Sequence, residues 1–139
     1  MSMDPILTFL RSLDGVLELA PPPGSAFPEI AWGDHFFYYA PDGQVPQREQ
    51  PYATIVTKSY PDDDGDDLDR PGRWRLNIHV GRTRAAEAVA LTGVSPHPRY
   101  GDQGWVALVC PEAGLLAVAE GLLRDAHDAA RRRWERRRP

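Results

Sequence analysis

Hydrophobic positions along this chain recur with two different periods, and the switches between them mark its elements. Ile6, Phe9, Leu10 and Leu13 fall at helical spacing in MDPILTFLRSLDG, where Asp4 is placed to cap, Pro5 suits the first turn and Gly15 supplies a stop. APPPGSAFP cannot continue a helix and reads as a loop. Residues 28–32 and 35–39 read as strands joined at Gly33 and Asp34, a two-residue turn with glycine first. Phe36 and Tyr38 then face one way, Phe37 and Tyr39 the other. The β-branched run at 52–58 is a further strand.

WRLNIHVGR has the cleanest alternation in the chain. Trp74, Leu76, Ile78 and Val80 alternate with Arg75, Asn77 and His79, which predicts a strand with one buried face and one solvated polar face. Residues 84–91 read as a short helix capped by Thr83, and 105–110 as an apolar strand. From Pro111 a long helix carries the stripe Leu115, Ala119, Leu122, Leu123, Ala126 and Ala130. The expected fold is therefore α+β, a two-layer sandwich. An antiparallel sheet of about five strands has the N-terminal, short middle and long C-terminal helices gathered on one face. Residues 4–130 form one domain in this reading, followed by a basic arginine-rich tail at 131–139.

Composition narrows the function more by exclusion than by assignment. The 139 residues carry a net charge of −4, so whole-molecule attraction to nucleic acid or to an anionic membrane is not expected. One cysteine, Cys110, allows no internal disulfide and no cysteine-type zinc site. It precedes Pro111 at the end of an apolar strand, where a buried, inert thiol is expected. No signal-peptide pattern and no apolar run of about 20 residues is present, which makes a cytoplasmic protein with no membrane partner the expectation.

The chemistry-bearing groups are few. Arg75, Asn77 and His79 project from one strand face with Arg82 just beyond, a row able to hold a carboxylate or phosphate. With His35 and Lys58 they make the candidate ligand or partner surface on the open side of the sheet. Six aspartates at 62–69 invite a calcium reading, but aligning Gly65 with the EF-hand glycine puts Tyr60 and Pro71 at ligand positions. A solvated acidic loop fits better. His35, His79, His97 and His127 lack metal-ligand spacing, and His97, between two prolines, reads as an exposed loop residue. No metal, cofactor loop or nucleophile elbow is indicated. At the C-terminus Arg131, Arg132, Arg133, Arg136, Arg137 and Arg138 surround Trp134. They form either a nucleic-acid patch with a stacking indole or a soluble helix end whose cations complement the dipole.

The blocks FPEIAWGDHFFYYAPDG, PYATIVTK, DRPGRWRLNIHVGR and PHPRYGDQGWVALVCP resemble the core of a bacterial domain-of-unknown-function family across residues 4–130. That resemblance implies a fold and no catalytic residue. The layout also resembles, more distantly, the MmcQ/YjbR-like proteins, which implies a frataxin-type sandwich and a double-wing DNA-binding surface. Three readings stand at this level. The first is a non-catalytic binding or interaction module using the open sheet face for an unknown ligand, a protein or a second copy of itself. The second is a nucleic-acid binder using the arginine tail. The third is an enzyme with His79 or His97 as general base.

Overall fold

The computed structural model of the chain describes residues 2–61 and 65–137. Its elements run α1 (Asp4–Arg11), β1 (Val16–Leu19), β2 (His35–Tyr39), β3 (Ala53–Val56), β4 (Arg75–His79), α2 (Arg82–Ala88), β5 (Ser95–Pro96), β6 (Trp105–Val109) and α3 (Leu116–Arg137). The six strands form one antiparallel sheet in the order β1-β2-β3-β4-β6-β5. This is the expected α+β arrangement with one strand more than the pattern predicts.

The register sorts the sheet into two faces. Phe37, Ala53 and Ile78 lie across from one another, as do Ile55, Leu76 and Leu108. These residues meet Ile6 and Leu10 of α1 and Leu122, Leu123 and Ala126 of α3 in the core. Burying such aliphatic side chains contributes roughly 1.5–3 kcal/mol each, which is why the alternation of β4 dictates the side on which the helices dock. On the other face Phe36, Thr54, Asn77 and Ala107 form a row across four strands.

Two expectations fail in the first third of the chain. Residues 28–32 are not a strand: Glu29–Ala31 is a turn of 3-10 helix, and the partner of β2 is β1. The segment folds on itself instead of pairing. Gly33 N donates to Pro21 O at 3.0 Å and Trp32 Nε1 to Phe27 O at 2.9 Å, while Asp34, expected in an exposed turn, is fully buried. Caps differ as well: Met3 stands at the cap of α1 and Gly81 at the cap of α2.

Between β5 and β6 the chain makes a tight excursion whose end is set by Gly104. Its φ is +90°, and a Cβ there would lie 2.6 Å from the Gly81 carbonyl carbon. Only glycine lets the two backbones touch in this conformation. Its carbonyl accepts from Val80 N and Gly81 N, which anchors residues 97–104 beside the end of β4.

Candidate functional site

The open face of the sheet is not flat. It forms a cup of about 590 Å³ lined by Phe36 and Tyr38 of β2, Thr54 and Val56 of β3, Arg75 and Asn77 of β4, and Trp105 of β6. Gln50 and Pro51 before β3, Tyr60 and Pro61 after it, and His97, Arg99 and Tyr100 complete the lining. The volume lies within the range of small-molecule sites, about 300–1,000 Å³.

The floor is a polar chain. Arg75 Nε donates to Asn77 Oδ1 at 2.7 Å, and Asn77 Nδ2 donates to Thr54 Oγ1 at 2.9 Å. Arg75 also meets the Asp66 carboxylate at 2.9 Å and His97 Nε2 at 3.3 Å. Arg75 is 1% exposed and Asn77 3%, so the solvated strand face expected from the alternation is in fact covered. His97, on the segment that leads back to β6, and Asp66, on the acidic loop, both lie against Arg75. His97 is likewise buried, not exposed, because its Nδ1 accepts from Arg99 N and Tyr100 N, both at 3.1 Å, and tucks the ring inward. His97 lies edge-on to Trp105, and Arg99 lies over Tyr100, its guanidinium carbon 5.7 Å from the ring centroid. Burial pushes the Tyr38 hydroxyl above its ordinary range.

The remaining residues of the expected surface go elsewhere. His35 is on the opposite face of the sheet, stacked on Phe37, because side chains alternate along β2 and Phe37 points to the core. Its Nδ1 meets Glu18 at 2.7 Å, and Arg11 grips the same carboxylate through two N–H groups. The Arg11 hydrogen bonds, and after them His35, hold the Glu18 carboxyl below its usual value. Lys58 is tied to Trp32 O at 2.7 Å and to Asp34 at 3.0 Å. His79 Nε2 meets Gln103 O and its ring lies against Trp105; burial, reinforced by the Arg133 charge, lowers its pKa. Arg82 Nε donates to Asp102 O at the start of α2.

Asp34 makes a separate centre. Its Oδ1 accepts from Thr57 N at 2.9 Å, Thr57 Oγ1 at 2.6 Å and Lys58 Nζ at 3.0 Å, and its Oδ2 from the Tyr60 hydroxyl at 2.5 Å. Burial and the adjacent carboxylate push Tyr60 far above its ordinary range. A carboxylate so saturated is a structural pin holding the start of β2 to the end of β3.

The C-terminal arginines are helical through Arg137, so no element boundary falls at residue 131. Arg131 pairs with Glu135 at 3.8 Å, and Arg137 pairs with Glu49. Trp134 is half-buried and packs edge-on against Tyr39 at 6.0 Å. Arg133 and Arg137 line a second hollow with Arg48, Gln50 and His79, while Arg132 and Arg136 are exposed. Arg138 and the loop residues Asp62, Asp63 and Asp64 lie outside the described residues. Of the other loop acids, Asp66 meets Arg75, Asp67 meets Arg70 at 3.4 Å, and Asp69 accepts from Ser59 N.

Cys110, expected to be buried, is partly exposed at a positive φ of 42° and exchanges weak hydrogen bonds with the Trp74 backbone at 3.4 Å. Among the described residues no helix is long and apolar enough to cross a membrane.

Comparison with known proteins agrees with a fold shared by proteins of unassigned role. A family of unknown function, DUF6194, matches residues 1–93 and 85–139. The chain belongs to this family. No curated protein matches it. Among solved structures, the crystal structure of Deinococcus radiodurans protein DR2400, with a DUF419 domain, is similar at a TM-score of 0.54 and 16% identity, over 90% of this chain and 75% of that one. At that identity the likeness concerns the fold alone.

The cup residues Phe36, Tyr38, Tyr60, His97, Arg99, Tyr100 and Trp105 are absent from the surface expected from sequence. A usable signal existed for three of them. Once β2, β4 and β6 are paired, the alternation that sends Phe37 and Leu108 to the core sends Phe36, Tyr38 and Trp105 to the face that carries Arg75 and Asn77.

Proposed function

We propose that this DUF6194 protein is a non-catalytic binding module whose ligand sits in the cup on the open face of the sheet. The observation that carries the reading is the cup itself: an aromatic-walled concavity floored by the hydrogen-bonded chain of buried Arg75 and Asn77 and half-buried Thr54. A floor of hydrogen-bonded, nearly immobile polar groups is pre-organised, which lowers the ordering cost of binding. The enzyme reading has less support. His97 lines the cup, but its Nδ1 is engaged by two backbone N–H groups, and no described lining residue is a carboxylate. The DNA-binding role carried over from the MmcQ/YjbR-like layout rests on fold analogy, a weak warrant.

A thermal-shift screen with metabolites, nucleotides and a short DNA duplex tests the reading, run on the wild type and on Thr54→Trp, which fills the floor with an indole. A cup ligand at about 100 times its Kd adds about 2.7 kcal/mol, several degrees for a domain this size, to the wild type alone. Equal shifts in both proteins, or none from any small molecule, set the reading aside. A shift from DNA alone that collapses with salt moves the site to the arginine end of α3.

A further inference from the structure

The walls and the floor of the cup differ in chemistry, and the difference names a class of ligand. Phe36, Tyr38, Tyr60, Tyr100 and Trp105 supply five aromatic rings around one small hollow. Tyr100 and Trp105 flank His97, with ring centroids 5.1 and 6.4 Å from it, so this wall is held in place by ring-to-ring contact. Aromatic faces in a half-open cup are best covered by another flat ring, whose stacked or edge contacts are worth about 0.5–1.5 kcal/mol each beyond burial.

The polar lining is basic. Arg75 stands at the floor, Arg99 at the rim and His97 between them, while none of the described lining residues is Asp or Glu. Arg75 is met by the Asp66 carboxylate, and Arg99 is the exposed cation among the described lining residues. The floor already shows what a guanidinium pairs with here: Arg75 Nη1 donates to the Asp66 carboxylate at 2.9 Å. A guanidinium offers a planar fork of N–H groups that matches carboxylate or phosphate oxygens. Asn77 orients that fork through the 2.7 Å bond from Arg75 Nε.

Resting on the cup reading above, we propose that the ligand is a flat aromatic molecule bearing one acid group. Its ring lies against Trp105, Tyr100 and Phe36, and its acid group is directed to Arg99 at the rim, above the floor that Arg75 and Asn77 hold in place. A carboxylate and a phosphate share this chemistry, and a volume of about 590 Å³ admits either an aromatic acid or a mononucleotide.

Calorimetric titration tests the proposal with paired probes. The acid-bearing probes are 2-naphthoate and adenosine 5′-monophosphate; their neutral counterparts are 2-naphthalenemethanol and adenosine; acetate and inorganic phosphate carry the charge without a ring. Amide NMR shifts locate any binding, and Thr54→Trp serves as the plugged control. At least one acid-bearing probe is expected to bind, with shifts at Tyr100 and Trp105. Its neutral counterpart and its ringless anion are expected to bind at least about tenfold more weakly, the size of one charge-assisted hydrogen bond. Arg99→Gln is expected to lose about tenfold in affinity. Which acid-bearing probe binds better separates carboxylate from phosphate. Neutral and acidic probes binding alike in the cup overturn the acid group and leave the cup reading standing. Ringless anions binding as tightly as the full probes overturn the ring. Binding that survives the plug, or the absence of any binding in the cup, overturns both this proposal and the reading beneath it.

Discussion

Asp34 and Arg75 are both buried to within 1% of completeness, one an acid and one a base, and they lie in the same small sheet. Their surroundings differ. Asp34 is enclosed by donors: a backbone N–H, two hydroxyls and the Lys58 ammonium together saturate its carboxylate. Arg75 is held by Asn77 and Asp66 and still forms part of the cup floor. A buried charge is costly unless paired, so both residues are satisfied. Only the second has room above it. Burial identifies a polar group that the fold must accommodate; the space next to that group decides whether it also serves a ligand.

Removing each charge separates the two. Asp34→Ala leaves the Lys58 ammonium, the Tyr60 and Thr57 hydroxyls and the Thr57 N–H without their shared acceptor. Breaking a buried ion pair in this way costs about 3–5 kcal/mol, a large part of a typical domain stability of about 5–15 kcal/mol. Chemical denaturation is expected to show a midpoint far below the wild type, or no cooperative transition. Arg75→Met should cost less, about 1–3 kcal/mol, because among the described residues the one carboxylate it abandons is easily re-solvated, and the other groups it leaves, Asn77 Oδ1 and His97 Nε2, carry no negative charge. Asp66 has a side chain already 29% exposed, and methionine fills much of the arginine volume. Equal losses for the two variants would erase the distinction between a sealed pin and an open floor.

The uneven legibility of these two centres has a physical cause. The alternation of β4 shows that Trp74, Leu76 and Ile78 go one way and Arg75, Asn77 and His79 the other, and the structure has them so. Strand pattern reports the face, because side chains alternate with period two. It is silent on whether something folds over the polar face. Here that is decided by the turn at 97–100, held by His97 Nδ1, and by Gly104, which admits the Gly81 backbone. The first is a local bond; the second joins segments far apart in sequence, and pattern along one strand reports neither. The same limit explains Asp34. GlyAsp between aromatic runs has the chemistry of a hairpin turn. The competing pull is tertiary, from Thr57 and Lys58 across the sheet, and it turns the aspartate inward and leaves β2 to pair with β1.

His127 offers the finest test, since it is enclosed like Asp34 but carries no charge. Its Nε2 donates to Asp14 O at 2.9 Å, and with the ring neutral its Nδ1 accepts from the Tyr52 hydroxyl at 2.9 Å. Tyr39 and Tyr52 stand edge-on to it at 5.4 and 5.5 Å. Protonation would place a second donor against the Tyr52 hydroxyl in a site with little water. Burial accordingly pulls the ring below its ordinary pKa of 6.5. Below that pH the unfolded chain holds more protons than the folded one, so stability falls as pH drops from 6.5 and levels off once the folded ring is protonated as well. The slope from one such group cannot exceed about 1.4 kcal/mol per pH unit. His79 is depressed for the same reason and adds in the same direction, whereas Glu18, held below 4.5, acts only at lower pH. His127→Gln keeps an acceptor for Tyr52 and a donor for Asp14 but cannot titrate. Its stability between pH 7 and 5 is therefore expected to vary less than that of the wild type, measured as denaturation midpoints across that range. An unchanged slope in this variant would mean that the ring at the centre of the α3 interface is free to take its proton, and that enclosure there is looser than around Asp34.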